Sequence, residues 1–260
     1  MSKRNTQQRR HAIAAMVGIE GEVSVDTLAN HFSTSEVTIR KDLAALESSG
    51  LLLRRYGGAI AMPSEIVATD LEEKVSERKL AIAIAAADQI RDHNRIIVDC
   101  GSTTAALINL LSTKQGLVVM TNSLQVANVL NALENEPTLL MTGGTWDPHS
   151  ESFQGKVAES VLRSYDFDQL FIGADGIDIT RGTTTFNELT GLSRVMAEVS
   201  REVVVMIESC KVGRKIPNLE LAWQGIDTLI TDDGMSDADT VAIEQQGVRV
   251  IRALVNNNKL

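Results

Sequence analysis

The sequence predicts an α/β protein in two parts: a small helical head carrying a β-ribbon, and a larger domain built on a mostly parallel sheet. Three observations predict it. After residue 75, short runs rich in Val, Ile and Leu alternate with helical stretches, as strands buried on both faces of a parallel sheet do. Before residue 60, apolar residues recur instead at helical spacing, with a Ser/Thr turn between two capped segments. Charge divides the chain at the same place: residues 1–62 hold eight Lys/Arg against six acids, a balance of +2, so the total of −9 leaves −11 for the rest.

The chain has 260 residues, 43% of them apolar, enough for one large core and a satellite domain. No stretch approaches the roughly 18 uninterrupted apolar residues of a membrane span, and the polar start MSKRNTQQRRH has no apolar run behind it. A cytoplasmic protein without membrane contact is expected. Cys100 and Cys210 form neither a disulfide framework nor a zinc spacing, and His11, His31, His93 and His149 are scattered, so no metal and no cofactor is expected. A mildly basic head on an acidic body suits a protein that touches DNA with one end only.

Residues 7–17 place Ile13, Met16 and Val17 at helical spacing and predict a first helix. Ser24 can cap a second, short helix whose inward residues are Val25, Leu28, Ala29 and Phe32. After the turn Ser33-Thr34-Ser35, Ser35 can cap a third helix running to about Ser48 and ended by Gly50. Ile39, Leu43 and Leu46 make its core stripe. At about 100° per residue, Val37, Lys41 and Ala44 then point outward with Thr38 and Arg40 on the flanks. A small, partly basic outer face fits the DNA major groove. LLLRRYGGA follows as a two-stranded wing, with Arg54 and Arg55 near its tip and Gly57-Gly58 closing it, able to lay cations along phosphates. The same pattern is also that of a solvated helical hairpin with ordinary surface charge.

TSEVTIRKDLAALESSGLLLRRYGGA resembles the winged helix of the deoxyribose-operon-repressor (DeoR) family, through Ser35, Thr38, Ile39, Arg40, Lys41, Asp42, Leu43, Leu46, Arg54, Tyr56, Gly57, Gly58 and Ala59. Thr34 stands where the family more usually has an apolar residue. The resemblance implies operator DNA as a partner, with Ser35, Val37, Thr38, Arg40, Lys41, Arg54, Arg55 and Tyr56 as the contact residues.

Residues 61–74 hold a proline and a cluster of acids and read as a linker between a head of residues 1–60 and a body of residues 75–260. SERKLAIAIAAADQI predicts a long helix, apolar on much of its circumference and packed between the domains. The strands are RIIVD, LVVMT, TLLMT, QLFIGA, EVVVMI, DTLIT and VRVIRAL. Ligands of such sheets gather outside the carboxyl ends of the strands. Found there are Asp99, Gly101, Ser102, Thr103 and Thr104; Thr121, Asn122 and Ser123; Gly143 and Gly144; Gly173 to Gly176 with Asp175; and Glu208 to Lys211. Glycines admit a ligand close to the backbone, hydroxyls surround phosphate oxygens, and Lys211 supplies the positive charge that favours a phosphate over a neutral sugar. Asp99, Asp175, Asn187 and Glu188 can bond sugar hydroxyls. Each turn also has a plain reading, as a helix cap at Asp99, a turn at Asp175 or a loop at Gly143-Gly144. Their convergence on one sheet edge points to a small anionic ligand.

The body resembles the sensor domain of DeoR-type regulators, similar in fold to ribose-5-phosphate isomerase and the sugar-phosphate deaminases. GADGID, the run Thr184-Thr185-Phe186-Asn187-Glu188 and the stretch Glu208-Ser209-Cys210-Lys211-Val212-Gly213-Arg214 look most like repressors of glucitol and galactitol operons. The last stretch departs from that pattern, with Glu208 for Asp and Cys210 for Ser. The resemblance implies a homo-oligomeric repressor released by a phosphorylated sugar or sugar alcohol. The rival classes are an isomerase and an activator of the same family. After GADGID the isomerases continue into a Lys-Gly-Gly-Gly-type loop; here the run is ITRGTTTFNE, without lysine, so no catalytic residue is expected.

Overall fold

Ser24 ends strand β1 (Glu22–Ser24) and caps α1 (Val25–His31), its Oγ accepting from the Thr27 amide at 3.0 Å. Ser35 does the same for α2 (Glu36–Glu47), accepting from the Thr38 amide at 3.3 Å. The structure is a computed structural model that describes residues 9–255 apart from 11, 14–15, 18–19, 48–51, 56, 62–75, 149, 186, 188–189, 215 and 217. It divides into two units, Met1–Glu73 and Lys74–Leu260.

In the first unit Ile13 and Val17, both helical, pack with Leu28 of α1 and with Ile39, Leu43 and Leu46 of α2, the stripe expected from spacing. Strands β2 (Leu52–Arg55) and β3 (Gly58–Ala61) form the wing, Arg55 opposite Gly58. Strand β1, which the sequence reading missed, pairs with the far edge of β3 and completes a sheet of order β1-β3-β2. Gly58 is required by that pairing, since a Cβ there would lie 2.4 Å from the Val23 carbonyl oxygen. Asp42, 2% exposed, accepts from Arg9 Nε at 2.6 Å and Arg10 Nε at 2.8 Å and so ties the N-terminal helical residues to α2. The expected end of α2 at Ser48 to Gly50, the linker, and Tyr56 lie outside the described residues.

The second unit opens with α3 (Glu77–Ala87), capped by Ser76. Ile82, Ala83 and Ala86 are buried beside the sheet, and Leu80 and Ile84 are exposed. All seven apolar runs are strands of one sheet: β4 (Arg95–Val98), β5 (Val118–Thr121), β6 (Thr138–Met141), β9 (Phe167–Ile172), β12 (Ser200–Met206), β14 (Thr228–Asp232) and β15 (Arg249–Ala253). Their order is β15-β14-β12-β9-β4-β5-β6, and every pairing is parallel. Apolar clusters on the two faces hold α3 and α4 (Ser102–Ile108) with α5 (Leu124–Asn131) on one side, and α6 (Lys156–Leu162), α7 (Gly191–Glu198) and α8 (Asp237–Glu244) on the other.

The chain steps outward from β4 to β6, then returns to place β9 beside β4 and steps outward the other way. The strand order therefore reverses between β4 and β9, which opens a crevice at their carboxyl ends. Two additions border it. Hairpin β7 (Thr145–Asp147) and β8 (Ser152–Gln154) folds against β5, with Phe153 N donating to the Asn122 carbonyl at 2.8 Å. A second sheet, β10 (Gly176–Asp178), β11 (Gly182–Thr185) and β13 (Asn218–Ala222), is pinned by Trp223, whose Nε1 donates to the Ile179 carbonyl at 2.8 Å.

Candidate functional site: a winged helix and a crevice between β4 and β9

The outer face of α2 follows the spacing except at Ala44: Val37 is 62% exposed, Arg40 and Lys41 are exposed, Thr38 on the flank is half-buried, and so is Ala44, which was expected to point outward. Ser35 is exposed at the helix start. Three of the four expected cations are engaged. Arg40 pairs with Glu36 at 2.8 Å, Arg54 with Glu47 at 2.6 Å and Arg55 with Glu22 at 3.1 Å. Lys41 makes no ion pair with a described residue. Such exposed pairs are worth only about 0.2–1 kcal/mol, so phosphate oxygens can replace the carboxylates at small cost.

At the crevice, Asp99 follows β4 and continues its ladder, the amide donating to the Phe171 carbonyl of β9 at 3.0 Å. Asn122, fully buried after β5, locks that turn. Its Nδ2 donates to Asp99 Oδ1 at 2.9 Å, and its Oδ1 accepts from the Cys100 amide at 3.1 Å. Burial pushes the Asp99 carboxyl above its ordinary range, and the hydrogen bonds from the Cys100 amide and Asn122 restrain that rise. From the other side of the crevice, after β9, Asp175 accepts from Thr185 Oγ1 of β11 at 2.7 Å. Lys211 is buried on a 3₁₀ turn (Ser209–Lys211), with its Nζ donating to the Ala174 carbonyl at 3.3 Å. Asp232 anchors that turn by accepting from Ser209 N and Oγ, each at 2.7 Å.

The structure thus brings Asp99 and Asn122 together directly, and sets Lys211 against the Asp175 turn. Gly101 and Ser102 are exposed beside them, and Thr103 is buried. Two of the expected ligand hydroxyls are engaged within their own turns. Thr104 is fully buried and its Oγ1 donates to the carbonyls of Asp99 at 2.8 Å and Gly101 at 2.9 Å; Thr121, also fully buried, accepts from Ser123 N at 3.1 Å. Both shape turns from within. Gly144 has a packing role: a Cβ there would lie 2.6 Å from the Gln154 carbonyl oxygen, so the β7–β8 hairpin needs glycine. Gly143 is half-buried with a φ of 58°. Asn187 is half-buried, its amide donating to Thr185 Oγ1 at 3.1 Å, and Glu188 lies outside the described residues.

Three residues that the sequence reading passed over belong here. Glu220 on β13 is buried, with Oε1 accepting from Ser193 at 2.8 Å. Asp232, which holds the Ser209 turn, and Ser152, whose hydroxyl bonds the Cys100 thiol, sit on segments that carry no motif. Cys100 has its thiol pushed well up by burial and then by the Asp99 charge, which is the opposite of a reactive thiolate, and Cys210 is exposed. No group of three His, Cys, Asp or Glu side chains suited to a metal occurs among the described residues. No helix among them is long and apolar enough to cross a membrane.

Comparison with known proteins places both units. Residues 9–65 match the DeoR-like helix-turn-helix domain and residues 74–233 the DeoR C terminal sensor domain. A protein of Escherichia coli O157:H7 named for transcriptional repression of the aga operon is 37% identical over 252 residues, covering 95% of this chain and 93% of its own. The glycerol-3-phosphate regulon repressor of Escherichia coli K12 is 32% identical over 211 residues, covering 80% of this chain and 83% of its own. Among solved structures, ribose 5-phosphate isomerase A of Methanocaldococcus jannaschii aligns with a TM-score of 0.38 at 20% identity, over 53% of this chain and 54% of that one. With a helix-turn-helix unit and a sensor unit each matched in place, and relatives matched over nearly their whole length, the chain belongs to the DeoR family of DNA-binding transcriptional regulators.

Proposed function

We propose that the protein is a transcriptional repressor of a sugar or sugar-alcohol utilisation operon, released from its operator by a phosphorylated polyol of the hexitol phosphate class. The observation that carries the effector half is the crevice between β4 and β9. A buried lysine, Lys211, shares it with carboxyl groups from separate strand ends, Asp175 and the Asn122-held Asp99. An ammonium suits a phosphate, and carboxylates suit the hydroxyls of a polyol. The name of the glycerol-3-phosphate regulon repressor fits a phosphorylated polyol.

In this reading Val37, Thr38, Arg40 and Lys41 enter or flank the major groove, and Arg54, Arg55 and Tyr56 hold phosphates of the duplex. A palindromic operator requires at least two copies of the chain. The protein acts in the cytoplasm, and its crevice binds without catalysing.

The effector claim is tested by thermal melting of the full-length protein with sorbitol 6-phosphate, galactitol 1-phosphate or glycerol 3-phosphate, each beside its free polyol. A ligand at a hundred times its Kd stabilises by about 2.7 kcal/mol. At least one phosphate is expected to raise the melting temperature where its free polyol does not, and Lys211→Ala is expected to abolish the rise. A melting temperature unmoved by any phosphate refutes the effector class.

A further inference from the structure

Glu220 lies in the middle of β13 and is only 9% exposed. Its Oε1 is held by Ser193, but its Oε2 is buried and has no hydrogen-bond partner among the described residues. A buried carboxyl oxygen without a partner is costly, and proteins keep few of them. The neighbours relieve it only in part. Asp99 and Asp175 are close enough to act on Glu220 by charge, as Glu220 acts on Cys100. The hydroxyls of Ser193 and Thr183 favour its ionised form. Arg194 of α7, next to Ser193, spends its guanidinium on the carbonyls of Leu219 at 3.0 Å and Glu220 at 3.3 Å. On the far wall, Lys211 reaches the Ala174 carbonyl. Glu220 on β13 therefore lies within electrostatic reach of the carboxyls that follow β4 and β9.

We propose that Glu220 is a specificity-determining residue of the effector site, its Oε2 being the hydrogen-bonding position for a ligand hydroxyl. The inference rests on the effector reading above. Burial, and then the charges of Asp99 and Asp175, push the Glu220 carboxyl up to about 8. Near neutral pH it is accordingly a neutral acid, able to donate as well as accept, and it adds no third negative charge beside a phosphorylated ligand.

The test is calorimetric titration of wild-type, Glu220→Gln and Glu220→Leu full-length protein with sorbitol 6-phosphate, galactitol 1-phosphate and glycerol 3-phosphate, near pH 7 and near pH 9. A phosphate monoester is already dianionic across most of that interval, its second pKa being about 6, so it contributes little to the change. Wild-type affinity for the phosphate that binds is expected to fall about tenfold toward pH 9, as Glu220 ionises. Glu220→Gln, neutral at both pH values, is expected to lose that fall, and Glu220→Leu to bind about tenfold more weakly near pH 7, having no partner for the hydroxyl. The wild-type pH dependence persisting in Glu220→Gln, or full affinity in Glu220→Leu, overturns the proposal and assigns Oε2 to a trapped water. Failure of every phosphate to bind wild-type protein at either pH instead refutes the effector reading, and this inference falls with it.

Discussion

Asn122 and Glu220 show how single side chains set this site. Asn122 spends both ends of its amide at the β4–α4 turn, one on the Asp99 carboxylate and one on the Cys100 backbone. Replacing it by Ala strands a buried carboxylate oxygen and a backbone amide, and should cost on the order of 2–3 kcal/mol in urea unfolding. Glu220 has the opposite character. Its carboxyl titrates near 8 when folded against a reference of 4.5, so folding favours the protonated form. Stability from this group is full below about pH 4.5 and is lost as pH rises through about 8, by roughly 5 kcal/mol. Glu220→Gln removes the titration. The variant should therefore be more stable than wild type near pH 9 and lose that margin toward pH 5, and equal stabilities at the two pH values would contradict the assignment.

Among the elements, α2 can present its outer face, proposed to read DNA, because its other side is held firmly. Asp42, at the centre of that hold, pairs with both Arg9 and Arg10 while almost fully buried. Asp42→Asn should destabilise the N-terminal unit by on the order of 1–3 kcal/mol, read as a lowered first melting transition, because Arg9 and Arg10, both only partly exposed to water, lose their shared counter-charge. On the outer side, Lys41 is exposed and makes no ion pair with a described residue, so it can meet a phosphate without surrendering a partner. Lys41→Ala should weaken operator binding and reduce the slope of log K against log salt by about 0.9 if it contacts one phosphate. An unchanged slope and affinity would remove it from the interface. In the second unit, Gly144→Ala should loosen the β7–β8 hairpin, since its φ of 114° and the 2.6 Å approach to the Gln154 carbonyl oxygen both exclude a side chain.

At the scale of the molecule, the two units were legible because their periodicities differ. Ile39, Leu43 and Leu46 mark a helix, and the Val/Ile/Leu runs mark strands buried on both faces; all seven runs are strands of the central sheet. Short pieces were not legible. Strand β1, the β7–β8 hairpin and β13 span three to five residues each, too few to show a period, and they exist through pairing with distant segments. Glu220 was missed for that reason: a lone glutamate in NLELA carries no motif, and only the fold brings β13 to the crevice. Thr104 and Thr121 bond within their own turns, and sequence alone does not separate that role from a ligand contact, because a hydroxyl at a strand end serves a turn as readily as a ligand.

Regulation also belongs to this scale, for a ligand in the crevice moves DNA affinity only if it binds the DNA-competent and DNA-incompetent states unequally. The most direct test of the account is the affinity of full-length protein for DNA from its own upstream region, measured with increasing sorbitol 6-phosphate, galactitol 1-phosphate or glycerol 3-phosphate and with the corresponding free polyols. The account predicts specific binding without ligand, and at least a tenfold loss of affinity, about 1.4 kcal/mol of coupling, with one phosphate and none of the free polyols. Operator affinity indifferent to every phosphate, or a phosphate consumed while the DNA stays unbound, would contradict it.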